Sequence, residues 1–427
     1  MSAHRTAEAA IRITPLPNGL TVATESIPGV ETATLGIWVA AGSRNERETE
    51  HGLSHLIEHM AFKGTARRSA RRIAEDIENV GGEINAATST EFTSYTARVL
   101  GGDIGLAVDV LGDILTGSVF DDAELRREKG VILQEYASVE DSPDEAVSDA
   151  FMEIAFAGQA IGRPILGRPE TISSFDAGTI RAFMAREYTP ARMVFAAAGQ
   201  VDHQEVVEAV GRALGDVPAG GAPEPAPGAY TGGERRMRRK LEQASLMIGL
   251  PGVSFRDPSY FATHIFAQAL GGGLTSRLWH EVRETRGLAY SIDAFHWPFT
   301  DCGLFGIGAG TGARDLASLV DVVTETSREA ARGMEPVELG RARAQLKVAM
   351  LAALETPGGR IDRAARQLLA WGRIIPAEET IARVDAVTLD EVRAAGVRTL
   401  AGPLTVAAIG PIGTLQPARR IAAALAA

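Results

Sequence analysis

Leu35–Gly42 reads LGIWVAAG, and 211 residues later Leu246–Val253 reads LMIGLPGV. The likeness recurs along the chain in the same order. INAATS from Ile84 is answered by IDAFHW from Ile292 at an offset of 208, and ISSFDAGTI from Ile172 by IARVDAVTL from Ile381 at 209. VFAAAG ending at Gly199 is answered by TVAAIG ending at Gly410 at 211. Four pairs in one order and register indicate a duplicated domain. Between the copies, Asp216–Gly233 (DVPAGGAPEPAPGAYTGG) holds four prolines and five glycines with no helical or strand period, which reads as a linker. The chain therefore divides into 1–215, a linker at 216–233, and 234–427.

Within each copy, stretches rich in Val, Ile, Thr and aromatic residues alternate irregularly with amphipathic helical stretches, so the class is mixed α/β. Strands are expected at Leu20–Thr24, after the Asn18-Gly19 turn, at Thr34–Ala41, and within Glu83–Leu100. Helical spacing covers Glu50–Phe62, Ala70–Val80, Asp103–Leu115, Asp121–Ser138 and Glu145–Phe156. No Gly-x-Gly-x-x-Gly turn follows a strand, which disfavours a nucleotide-binding parallel sheet.

Composition narrows the function classes. At 427 residues, 45% hydrophobic and 23% charged, the chain is an ordinary globular one of two or three domains. No apolar run is long enough to span a bilayer, and the N-terminus lacks a secretory signal, so the expected location is cytoplasmic. Cys302 is the single cysteine, which forbids an intrachain disulfide and any multi-cysteine zinc site. A metal must then use His and carboxylates. A net charge of -11 argues against nucleic acid and favours basic peptides as ligands.

The chemistry concentrates in HGLSHLIEHMAFKGT, His51–Thr65, which contains His55-x-x-Glu58-His59. On a helix, His55 and His59 lie about 40° apart and Glu58 about 60° to the other side of His55. Two imidazoles one turn apart share a metal, and the Glu stands beside the open position as a base for water. This is the inverted form of the commoner His-Glu-x-x-His helix. His51 is about 12 Å from His59 along the axis and is expected in a solvated role near the helix start. His4, His203, His264, His280 and His296 sit in no comparable motif. The copy of the helix in the second half reads Phe266, Ala269 and Leu270, so the second domain has no such site, and His264 reads as an ordinary helix residue. Among the acids, Glu128 and Glu135 are seven apart on one helical face. Glu135 interrupts a stripe with Val131, Ile132 and Val139, either as a metal ligand or as half of a salt bridge.

His55–His59 with Glu135, 76 residues after His59, resembles the pitrilysin-type zinc peptidases, specifically their mitochondrial processing peptidase-like branch. LPNGL, GSRNE, HMAFKGT, GGEINAATSTEFTSY, EKGVILQE and EDSPDE carry the likeness over nearly the whole chain. The resemblance implies one zinc per chain held by His55, His59 and Glu135, Glu58 as general base, and Glu128 as a supporting carboxylate. It also implies two similar domains, each a mostly antiparallel sheet flanked by helices, enclosing a chamber. In RETRGLAY, Arg283 and Tyr290 match the family's substrate-contacting pair, although the octet alone reads as a surface arginine and a core tyrosine. Asn85 and Ala86 open the strand that pairs with substrate backbone in the family. Gly271–Gly273 stands where a noncatalytic subunit has a longer glycine loop, and here a helix-ending turn suffices. The basic runs Arg67–Arg72 and Arg235–Lys240 read as solvated faces.

The resulting expectation is a zinc metalloendopeptidase acting on short or unfolded, preferably basic, peptides, as a homodimer. Its rival is a catalytically silent or partner-dependent subunit of a processing-peptidase-like complex, a class whose members lose metal residues.

Overall fold

The computed structural model describes residues 11–221 and 223–426. Eleven strands are found among them: β1 (Arg12–Pro15), β2 (Thr21–Ser26), β3 (Thr32–Val39), β4 (Glu83–Thr88), β5 (Thr93–Leu100), β6 (Met193–Gly199), β7 (Gly233–Arg238), β8 (Gln243–Pro251), β9 (Ala289–Pro298), β10 (Gly303–Gly312) and β11 (Thr405–Gly410). The first half contributes helices α1 (Leu53–Ala61), α2 (Ala70–Glu78), α3 (Ile104–Thr116), α4 (Asp122–Asp141), α5 (Pro143–Ala155), α6 (Pro169–Ser174), α7 (Ala177–Glu187) and α8 (His203–Leu214). The second contributes α9 (Tyr260–Gly271), α10 (Leu316–Gly333), α11 (Pro336–Ala353), α12 (Pro357–Trp371), α13 (Ala377–Ala386), α14 (Leu389–Leu400) and α15 (Ala418–Ala426). No helix among the described residues is long and apolar enough to cross a membrane.

The strands form two sheets, ordered β1-β2-β6-β3-β5-β4 and β7-β11-β8-β10-β9. Apart from β1, the orders superpose position by position, with β2 answering to β7 and β4 to β9. Only β2 with β6 and β7 with β11 pair in parallel; the other pairs are antiparallel. Mixed α/β structure in two similar, mostly antiparallel sheets is therefore as the sequence indicates. Central strands read as continuous apolar runs because both faces are covered. All seven residues of β6, MVFAAAG, are buried.

The chain forms two compact units. The first takes residues up to Tyr136, then Ile165–Pro225 and Ala352–Ile375. One face of its sheet packs Leu35, Ile37 and Phe195 with Leu56, Ile57 and Met60 of α1 and Val110, Leu111 and Ile114 of α3. The opposite face packs Trp38, Val194 and Ala196 against Ile361, Ala365 and Leu368 of α12. The second unit takes Ala137–Pro164, Ala226–Leu351 and the chain from Pro376. There Ile248, Phe305 and Ile307 meet Phe266 and Leu270 of α9 and Val320 and Val323 of α10. On its other face, Phe151 and Ile154 of α5 lie against Met247, Ala407 and Ile409. Each fully buried Leu, Ile or Phe contributes about 1.5–3 kcal/mol relative to exposure.

Gly271 ends α9, and a Cβ there would come within 2.3 Å of the Ala294 amide of β9, so close helix–strand packing requires glycine. The residues from 216 to 232, Ala222 aside, carry neither helix nor strand, and β7 begins at Gly233.

Candidate metal centre

The site begins with what fixes α1. The carboxylate of Glu46 accepts hydrogen bonds from the Gly52 amide (2.8 Å) and the Ser54 amide (2.7 Å), placing negative charge at the positive end of the helix. Gly52 itself is left-handed (φ 95°), and a Cβ there would meet Gly167 Cα at 2.7 Å. Upstream, Arg186 clamps Glu50 through both its oxygens (2.9 and 2.7 Å) and also reaches Glu187. Downstream, Thr65 and Arg68 each donate to Asp113 at 2.7 Å, and Arg68 reaches Asp76 at 2.9 Å. Arg68 is thus a half-buried network residue, not part of a solvated face, and its carboxylate partners raise its pKa further. Within the second basic run, Arg235–Arg238 lies along the edge strand β7 and is mostly exposed, as expected.

On α1, His55 and His59 stand with ring centroids 4.6 Å apart. The Nε2 atoms of both lie 3.8 Å from Glu135 Oε2, which projects from α4. Among the described residues this trio alone brings three His, Cys or carboxylate donors together, all within 4.8 Å. Tetrahedral zinc with bonds of about 2.0–2.1 Å needs donors about 3.3 Å apart, roughly half an ångström less than each histidine's present distance to Glu135. Burial, and secondarily the charge of His59, lowers His55 to about 4, which keeps its imidazole neutral and its lone pair available.

The second shoulder of His59 is supported. Its Nδ1–H donates to Glu128 Oε2 at 3.1 Å, while Lys63 Nζ sits 2.8 Å from Glu128 Oε1. That fixes the tautomer with Nε2 unprotonated toward Glu135. His55 has no such support: its Nδ1 is buried without a hydrogen-bond partner among the described residues. Glu58, half-buried, makes no hydrogen bond or ion pair among the described residues. Its charge is felt by the buried Tyr95 and Tyr188, whose hydroxyls are 3.0 Å apart. Burial, with the Glu58 charge as a lesser cause, pushes Tyr188 up to about 12 and Tyr95 well above its ordinary value.

Three readings of the surroundings need correction. Glu135 does not interrupt an apolar stripe: of its supposed neighbours only Ile132 is buried, Val131 is 45% exposed, and Glu135 itself is exposed. His51 is not solvated; it is 5% exposed because the turn into α1 folds under Thr171, whose hydroxyl donates to the His51 carbonyl at 2.6 Å. Tyr290 is no core residue but 78% exposed. It lies in the second unit beside Arg283, whose guanidinium stands 4.5 Å from the Tyr290 ring centroid and 4.2 Å from that of Trp279. Arg283 belongs to a π-helical turn, Trp279–Thr285, a rare local winding often found at functional sites.

Asn85 and Ala86 lie on β4, the edge strand of the first sheet. The other histidines are accounted for separately. His203 bonds the hydroxyls of Thr14 (2.8 Å) and Thr24 (2.7 Å), His280 is exposed, and His264 sits on α9 against Tyr260 and His296. His4 lies outside the described residues. Glu46, Lys63 and the Tyr95–Tyr188 pair were not singled out from sequence. Glu46, Lys63 and Tyr95 do stand in the stretches GSRNE, HMAFKGT and GGEINAATSTEFTSY that carry the family likeness, and Lys63 is also one turn beyond His59.

The chain matches the family described as Insulinase (Peptidase family M16) over residues 21–169 and that described as Peptidase M16 inactive domain over residues 174–346. It is 40% identical over 419 residues to a protein of Streptomyces coelicolor named an uncharacterized zinc protease, covering 96% of this chain and 91% of that one. It is 38% identical over 426 residues to a probable mitochondrial-processing peptidase subunit beta of Arabidopsis thaliana, covering 95% and 79%. A crystal structure of a peptidase M16 inactive domain from Pseudomonas fluorescens shares the fold, with a TM-score of 0.88 and 21% identity over 95% of this chain and all of that one. With this coverage and identity, and with an inverted zinc motif whose donors converge, the chain belongs to peptidase family M16.

Proposed function

We propose that the chain is a zinc-dependent endopeptidase hydrolysing short or unfolded peptides, with a preference for basic ones set by its net charge of -11. The observation that carries this reading is the convergence of His55 and His59 Nε2 on Glu135 Oε2, with Glu58 beside them and unpartnered among the described residues. His55, His59 and Glu135 would hold the zinc ion, one per chain. When bound, it supplies Lewis-acid polarisation of the scissile carbonyl and makes water acidic enough to lose a proton near neutral pH. Glu58 takes that proton and delivers it to the departing amine. Glu128 holds the His59 ring in place. Arg283 and Tyr290 contact the substrate, where a guanidinium and a phenol suit growing oxyanion charge. Asn85 and Ala86 on the edge strand offer main-chain hydrogen bonds to an extended peptide, which explains loose sequence preference. Two chains pair as a homodimer, to be checked by light scattering.

The test is metal analysis with a quenched-peptide assay on wild type and Glu135→Ala. Zinc and cleavage are expected to fall together in the variant. One tightly held zinc and full cleavage in Glu135→Ala would overturn the ligand set. A wild type that binds zinc but cleaves nothing without a second protein would favour the partner-dependent reading.

A further inference from the structure

Glu128 is 6% exposed, and both of its oxygens are engaged: Oε2 by His59 Nδ1 at 3.1 Å and Oε1 by Lys63 Nζ at 2.8 Å. A carboxylate this deep needs a cation, and Lys63 is the residue that supplies it. The lysine backbone is itself pinned, since its amide donates to the Met60 carbonyl at 3.1 Å in the turn that closes α1. The carboxylate is pinned from the other side. Asp121 caps α4 through the amides of Ala123 (2.8 Å) and Glu124 (3.1 Å), and Lys129 ties the helix to the carbonyls of Ser173 and Phe175.

We propose that Lys63 is a positioning residue for the metal centre: it holds one oxygen of Glu128 so that the other is presented to His59 Nδ1, which keeps His59 Nε2 turned toward Glu135. The inference rests on the zinc reading above and extends it one residue outward. A glutamate's terminal torsion is broad and roughly two-fold, so a carboxylate anchored at one oxygen alone swings, whereas one anchored at both does not. His59 depends on this anchor more than its neighbour does, because His55 Nδ1 has no partner among the described residues to lend it a second hold. The alternative is that Lys63 only neutralises the buried Glu128 and has no effect on how His59 is held.

The test is the zinc affinity of the full chain, measured by chelator competition for wild type, Lys63→Met, Lys63→Arg, Glu128→Gln and the Lys63→Met/Glu128→Gln double variant. Loss of an outer support of a metal-binding histidine typically costs 10–100-fold in affinity, and Lys63→Met should fall in that range. Lys63→Arg should recover most of the loss. In the Glu128→Gln background, Lys63→Met should cost nothing further, because the lysine acts only through Glu128. The melting temperature of each metal-free variant is recorded alongside, and Lys63→Gln replaces Lys63→Met in the cycle should the latter fold poorly. Wild-type affinity in Lys63→Met, or equal losses in both backgrounds, would overturn the positioning role while leaving the zinc reading intact. A wild type with no affinity for zinc would overturn both.

Discussion

Helices α1 and α9 occupy corresponding places in the two units, 211 residues apart, and differ in what they carry. Where α1 has His55, Glu58 and His59, α9 has Phe266, Ala269 and Leu270. The same offset turns Glu128 and Glu135 of α4 into Leu339 and Leu346 of α11, both buried, and Lys63 into Leu274, which is exposed. Every polar member of the centre has an apolar counterpart. Phe266 is fully buried and stacks on Phe305 with centroids 5.6 Å apart. The second copy thus places apolar side chains at all of these positions. A buried imidazole or carboxylate placed there singly lacks a partner, and leucines and a phenylalanine fill the same space at a gain in stability. One copy keeps a cluster of metal-binding side chains, and the other shows what the fold does without it.

The comparison breaks most sharply at Glu58. Replacing it by glutamine keeps size and hydrogen bonding but removes the base, so cleavage should fall by about 10²–10⁴ while zinc content stays at wild-type level. Undiminished turnover would mean that α1 is no more catalytic than α9. The converse substitution, Phe266→Ala, should destabilise the chain by about 3–5 kcal/mol in denaturant unfolding and leave zinc content unchanged. A change in zinc content there would undo the separation of roles between the copies.

A smaller effect is expected at Tyr290, proposed above to contact the substrate. Tyr290→Phe removes one exposed hydroxyl donor, worth about 0.5–1.5 kcal/mol, so kcat/KM should drop roughly tenfold or less. Its melting temperature should not move, because phenylalanine keeps the ring against which the Arg283 guanidinium stands. The smallest effect concerns two imidazoles that burial treats alike. His296, like His55, is held to about 4, mainly by burial and then by the charge of a neighbouring histidine, His264. The unfolded chain takes up a proton near the ordinary value of 6.5, whereas folded His296 does so only near 4. Its contribution to stability is therefore complete above pH 6.5 and is lost as pH falls toward 4. The melting temperature of metal-free His296→Gln should decline less steeply over that window than that of wild type; parallel declines would assign the acid sensitivity elsewhere.

Much of this is legible in the sequence alone. Helical spacing placed α1 to α5 to within a few residues, and the paired landmarks in β3 and β8, β4 and β9, and β6 and β11 correspond to equivalent strands of the two sheets. The i, i+4 histidines with Glu58 between them specify a metal-binding face because helix geometry is local. What periodicity does not carry is which distant surface receives a side chain. The pattern of α4 gives no warning that Val131 faces outward while Glu128 is buried, because that depends on the approach of His59 from α1 and Lys63 from the turn that closes it. Nor does any local signal say that α5 is covered by the second sheet and α12 by the first, since both are ordinary amphipathic helices until their partners are known. His51 and Arg68 read as solvated for the same reason: their burial comes from Thr171 and from Asp76 and Asp113, which no spacing rule connects to them.

The central claim is that one copy of the repeat is a zinc centre that hydrolyses peptides and the other is not. The most direct measurement is the zinc content of the purified wild-type chain, together with its cleavage of a quenched peptide before and after chelation. The account predicts one zinc per chain, and cleavage abolished by the chelator and restored by zinc. Cleavage that persists in a metal-free chain would contradict it.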